Sequence, residues 1–153
     1  MGNIKAKDYL MQIKKMDAMI NNNLRELEVL QALAEKTTAV LGGERVQTSG
    51  SGDSMAEAAI KIVMLKQEIN DEVDAYVDLR NAARKLINSA CDAECIKLLT
   101  MRYLGIKNPA TEEIEYKKWE EIAIELEFTF QWVSDGLHKR ALSQLQKALD
   151  DIN

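Results

Sequence analysis

Apolar residues recur at threes and fours from the start of the chain. Across 5–41 the series Leu10, Ile13, Met16, Ile20, Leu24, Leu27, Leu30, Ala34 and Leu41 predicts one long amphipathic helix. GGERVQTSGSGD, residues 42–53, then breaks the pattern with four glycines and two serines, and Asp53 or Ser54 is placed to cap the next helix. A second run of the same kind carries Met55, Ala59, Ile62, Leu65, Ile69, Val73, Tyr76, Leu79, Ala83 and Ile87. Two helices of about 35 residues, each on the order of 50 Å long, bury their stripes most simply by folding back across the glycine loop. The expectation is an antiparallel coiled-coil hairpin over 1–90, with a glycine-rich tip at 42–53. Asn21, Asn22 and Asn23 interrupt the first stripe. An Asn facing the seam would fix register at some cost in stability; a solvated run would leave register to the apolar pattern.

Residues 89–92 break the second run, with Asp92 a cap for ECIKLLTMRYL, a helix that buries Cys95, Leu98, Leu99 and Tyr103. GIKNPATEEIEY, 105–116, holds the one proline and reads as a charged connection, long for a helix-to-helix loop. In KWEEIAIEL the residues Trp119, Ile122, Ala123 and Leu126 share a face, and Ala123 is small where a crossing helix must come close. After Glu127 and Phe128, Thr129 can cap a further helix that buries Val133, Leu137, Ala141, Leu145 and Leu149 and presents Phe130, Gln131, Ser134, Asp135 and His138 on its other side. Two short helices joined this tightly predict a helix-turn-helix over part of 91–153, although any antiparallel helical pair with a three-residue turn shares much of the pattern.

Composition supports helix throughout. Aromatic residues make up 5% of the chain and Leu, Ile, Ala, Met, Glu and Lys are abundant, so the expected class is all-α. No apolar run reaches the roughly 18 residues of a membrane span and MGNIKAKDYL lacks a secretory core, which predicts a cytoplasmic protein with no membrane partner. The formal charge is −5, split as −1 before residue 90 and −4 after it. Tight unaided binding to a polyanion needs clustered Lys and Arg, so the acidic C-terminal half argues for affinity shared with a partner.

Candidate chemistry is sparse. Cys91 and Cys95 with a distant His138 are too few for a zinc site, and free buried thiols are expected. The glycine loop lacks the Walker spacing and a preceding strand. Paired carboxylates need a pocket to act as acid and base, and Glu112, Glu113, Glu115, Glu120 and Glu121 are spaced to sit on a loop and an exposed face. No cofactor, no metal and no enzymatic activity are expected.

From Leu98 on, the order LLTMRYL, KWEEIAIEL, turn, then a helix ending RALSQL resembles promoter-binding region 4 of bacterial sigma factors. Over nearly its whole length the chain looks like a family of small phage and prophage proteins of Gram-positive bacteria related to the RinA and ArpU type late-gene transcription regulators. The resemblance implies a phage-encoded regulator in the bacterial host cell. It would bind double-stranded promoter DNA, with host RNA polymerase as a partner and the helical hairpin as a homo-oligomerisation arm.

By matching position, the base-reading residues would be Phe130, Gln131, Ser134 and Asp135, with Gln131 the first choice because an amide bonds adenine in bidentate fashion. Lys117, Lys118, Lys139 and Arg140 would hold phosphates. The sequence departs from the sigma pattern in three places. Phe130 and Ser134 stand where Arg is common, Glu127 stands where the turn has glycine, and the stretch from Val133 to Arg140 is one residue longer, with Gly136 inside it. A kink or bulge there would change the register of His138 and Lys139. Trp132 is either a core or interface residue or, on the other reading, a base-stacking one. The alternative function is a helical adaptor or phage assembly or packaging protein that does not read DNA.

Overall fold

The computed structural model describes the backbone of residues 4–43 and 49–152 and the side chains of 4–36 and 54–152. Helix dominates, in the order α1 (Ala6–Gly43), α2 (Ser49–Ala90), α3 (Ala93–Leu99), α4 (Trp119–Leu126) and α5 (His138–Ile152). A pair of two-residue strands, β1 (Ile106–Lys107) and β2 (Ile114–Glu115), lies between α3 and α4. Two compact units emerge: Met16–Tyr76 is one, and the chain up to Lys15 together with the chain from Val77 onward is the other.

In the Met16–Tyr76 unit, Ile20, Ile69 and Tyr76 are buried, and Leu27, Leu30, Ile62 and Leu65 are half-buried. The stripe expected from periodicity fails at four positions: Met55 and Ala59 are exposed, with Ala58 half-buried beside them, and so are Leu24 and Val73. Between Ile20 and Leu27 the inward position belongs to Asn23, and Leu24 is exposed; between Ile69 and Tyr76 it belongs to Glu72, and Val73 is exposed. Spacings of three and four both fall on one helical face, so the stripe alone does not choose between neighbours. Hydrogen bonding chooses here. The Asn23 amide donates to both carboxylate oxygens of Glu72, at 2.8 and 3.0 Å, which ties α1 to α2 at one register. α2 begins at Ser49, so Asp53 and Ser54 fall inside the helix and not at its cap. Extending a helix by one residue costs far less than nucleating it, which lets it run past a good capping residue. Leu41 and the glycine-rich tip at 42–53 lie outside the described side chains.

The other unit has the larger core. Ala6, Leu10 and Ile13 of α1, Ala83 and Ile87 of α2, Cys95, Leu98 and Leu99 of α3, and Val133, Leu137, Ala141 and Leu145 toward the C-terminus are all at most 3% exposed. Each large side chain so buried contributes roughly 1.5–3 kcal/mol. Two glutamines of α5 tie the ends of other helices to this core. Gln146 accepts from the Ala6 backbone N–H at 2.7 Å and donates to the Ile4 carbonyl at 3.0 Å, satisfying a first-turn donor of α1. Gln144 accepts from the Asp92 backbone N–H and donates to the Asp92 carboxylate.

Asp92 caps α3 as expected, taking the Cys95 N–H at 3.1 Å. The Gln144 and Cys95 hydrogen bonds, and then Arg140, hold its carboxyl down at about 2. Burial keeps the free thiols of Cys91 and Cys95 protonated, at about 11 and about 12.

Past α3 the chain widens into a π-helical turn, Thr100–Leu104, and leaves it at Gly105 with φ 81°. A Cβ there would sit 2.4 Å from Cγ2 of Ile114, so glycine is required by both backbone and space. Arg80 covers the freed carbonyls, donating to Leu104 O and Gly105 O. The 105–116 connection, read as a loop, pairs with itself: Ile106 opposes Glu115 and Lys107 opposes Ile114. Its turn is an Asx turn in which Asn108 Oδ1 accepts from Ala110 N across Pro109. Strands of two residues leave no alternation for periodicity to detect.

Candidate nucleic-acid interface

The corner formed by α4 and the helix after it is built by local signals. Glu121 accepts from the Lys118 N–H and so closes the start of α4. Glu127 ends the helix in left-handed conformation, φ 61° and ψ 39°; its own N–H bonds Ile124 O, and the Phe128 N–H reaches back to Ala123 O. These are the two bonds of a Schellman stop, which usually has glycine at this place. Thr129 then caps the next helix, its hydroxyl accepting from Trp132 N at 3.2 Å. That helix runs from Phe130 through a π-helical segment, Trp132–Leu137, into α5.

The π segment is a bulge at the place where a kink or bulge was expected, a turn of this kind holding one residue more than an α turn. Gly136 is what permits it, because a Cβ there would lie 2.2 Å from the Trp132 ring, which therefore lies against bare backbone. Trp132 is neither core nor free: its ring covers Gly136 and is 42% exposed. The bulge also shifts phase. His138, expected on the outward side, is half-buried instead, with its Nε2 2.7 Å from the Tyr103 hydroxyl and its ring edge-on to Trp119 at 4.7 Å.

Of the expected base readers, Gln131 and Asp135 are exposed, Phe130 is half in solvent and Ser134 is half-buried. They share the first turns of one helix. The expected phosphate holders are mostly engaged by carboxylates: Lys117 with Glu125, Lys139 with Asp135 at 3.0 Å, and Arg140 with Asp92 at 2.6 Å. Lys139 and Asp135 are largely exposed, and such pairs are worth about 0–1 kcal/mol, so a phosphate can replace the carboxylate. Arg140 is held more firmly, since Asp92 is also bonded by Gln144 and Cys95. Lys118 has no ion pair among the described residues.

Beside this corner stands a cluster of cations and rings. Arg102 lies over the Trp119 ring at 4.5 Å and donates to Lys117 O at 3.1 Å. Lys14, from α1, sits 4.9 Å from the Tyr116 ring centre and 5.5 Å from that of Tyr103. Its pKa is pushed down by burial and then by Arg102. Burial first, then Lys7 and Arg102, lower His138 from 6.5 to about 4, so its ring is neutral at pH 7. On another side of the corner, Ile124 is 79% exposed and joins Phe128, Phe130, Ala123 and Glu120 in a shallow apolar groove of about 440 Å³.

Comparison with family models, curated proteins and solved structures finds no match.

Ile124 could have been found from sequence, as an isoleucine on the polar face of KWEEIAIEL. The Lys14, Arg102 and Trp119 cluster could not, because its members come from distant parts of the chain and each alone reads as a surface cation or a core ring.

Proposed function

We propose that this protein is a phage-type transcription regulator that binds promoter DNA through a sigma region 4-like helix-turn-helix, in company with host RNA polymerase. One observation carries the reading: a three-residue turn joins α4 to a helix whose first exposed amide is Gln131, and an amide is the side chain that bonds adenine in bidentate fashion. Ser134 stands one turn on, and Lys118 and Lys139 supply phosphate contacts that position the helix. The proposed action is binding, without catalysis or a cofactor.

α1 and α2 supply the homo-oligomerisation arm as an antiparallel coiled-coil hairpin. Burial of Ile20, Ile69 and Tyr76 at roughly 1.5–3 kcal/mol each is small against about 1 kcal/mol per ordered residue. Val29, Leu33, Ile60, Val63 and Met64 remain exposed, which is the surface a second copy would cover. No described helix is long and apolar enough to cross a membrane.

A second reading, a helical adaptor that does not read DNA, is favoured by the Ile124 and Phe130 groove and by the carboxylates that engage Lys117, Lys139 and Arg140. Binding to duplexes recovered from random DNA separates the two. The regulator reading expects Gln131→Ala to lose preference for the recovered sequence with folding intact; equal retention by the variant removes Gln131 as the reader, and no recovery even with polymerase present leaves the adaptor.

A further inference from the structure

We infer that Lys14 and Arg102, set over Tyr116 and Trp119, together with Lys7, two turns before Lys14 on the same face of α1, form a second phosphate-binding face that grips the DNA backbone beside the Gln131 helix; this rests on the proposed DNA-binding function. Three observations lead to it.

First, these cations have no ion pair with any described carboxylate, in a chain where acidic residues outnumber basic ones by 25 to 20. Arg102 is close enough to add to the burial that lowers the Lys14 pKa, and Lys7 and Arg102 both act on His138. Like charges gathered without a counter-ion raise the energy of the free protein, and an anion laid across them lowers it. By contrast, three of the four basic residues on the corner itself are already neutralised by carboxylates.

Second, the cluster is held in place before any ligand arrives. Arg102 is fixed at one end by the Lys117 carbonyl and across its plane by Trp119, and Lys14 is seated over two tyrosine rings. Side chains ordered in this way lose little further freedom on binding. Neither contact uses up the positive charge, because ring faces and a carbonyl leave it unneutralised.

Third, the face adjoins the corner. Arg102 bonds the residue next to Lys118, which caps α4, and His138 joins the cluster to the helix that carries Gln131 and Ser134. On the proposed docking a backbone of the duplex passes the start of α4, whose first turn already carries Glu120 and Glu121, so the phosphate contact there falls to Arg102 and Lys14. An acidic protein segment would answer the same charge but has no reason to run alongside the reading helix.

The test is the salt dependence of binding by the full chain to a short random-sequence duplex, followed by anisotropy. Each phosphate contact contributes a slope of about 0.9 in log K against log salt, so Lys7→Gln with Lys14→Gln should lower the slope by nearly 2 and Arg102→Gln by about 1. Arg102→Lys, which keeps the charge, should retain most of it, and Gln131→Ala should leave it unchanged. Circular dichroism confirms that each variant folds.

A wild-type slope in the folded Lys7→Gln, Lys14→Gln variant overturns this face, while loss of sequence preference in Gln131→Ala would still leave the reading helix standing. Failure of the wild type to bind any duplex at low salt, with host polymerase present, overturns both. Retention of poly-glutamate in place of duplex, lost in the same variants, assigns the face to an acidic protein partner and overturns the phosphate assignment.

Discussion

Among single residues, the corner depends on two side chains in unusual places. Glu127 occupies a left-handed conformation that costs a residue with a Cβ on the order of 1 kcal/mol. Replacing it by glycine removes that cost and leaves the Schellman bonds in place. Glu127→Gly should raise stability by about 0.5–1 kcal/mol, read as a higher midpoint in urea; a lower midpoint would mean that the Glu127 side chain contributes more than its backbone strain removes.

His138 gives a pH signature. Its ring titrates near 6.5 in an unfolded chain and at about 4 here, because of burial and the nearby Lys7 and Arg102. Between those values the unfolded chain holds the extra proton, so acidification favours unfolding. Stability should fall as pH drops from 6.5 toward 4, and His138→Gln should flatten that part of the profile. A profile that keeps its slope in the variant would place the titration elsewhere.

Among the helices and turns, much was legible in the chain and some was not. Caps at Asp92 and Thr129 could be read because a short polar side chain before an apolar run has one good use. The turn residue at Glu127 and the extra residue around Gly136 were visible as departures from a pattern, and both became backbone features: a left-handed stop and a π turn. Choice between Leu24 and Asn23, or Val73 and Glu72, was not visible, since apolar spacing permits either and only the partner across the unit decides. That Ala6, Leu10 and Ile13 cluster with α3 to α5 was likewise hidden, because periodicity names a face without naming what covers it.

The Asn23 and Glu72 pair is testable. Asn23→Leu alone leaves a half-buried carboxylate without its donor and should cost about 1–3 kcal/mol. Leucine at both positions should recover that loss and exceed wild type by about 1 kcal/mol, as replacement of a buried polar pair often does. Denaturation of the three variants checks this; a double variant as weak as the single one would show that the pair contributes net stability.

Over the whole molecule, the proposed function asks a chain of net charge −5 to approach a polyanion. Locality reconciles the two: carboxylates engage Lys117, Lys139 and Arg140, while Lys7, Lys14 and Arg102 gather without them beside the helix that presents Gln131. On the proposed function affinity from so few contacts is modest, and a linked polymerase contact would raise it without any new contact to DNA.

The most direct measurement is selection of bound sequences from random duplex DNA by the wild type and by Gln131→Ala, each with and without host polymerase. An enriched motif is expected for the wild type, stronger with polymerase, in which Gln131→Ala loses the preference for adenine at one position. Pools that stay random for the wild type under both conditions would contradict DNA reading by this corner.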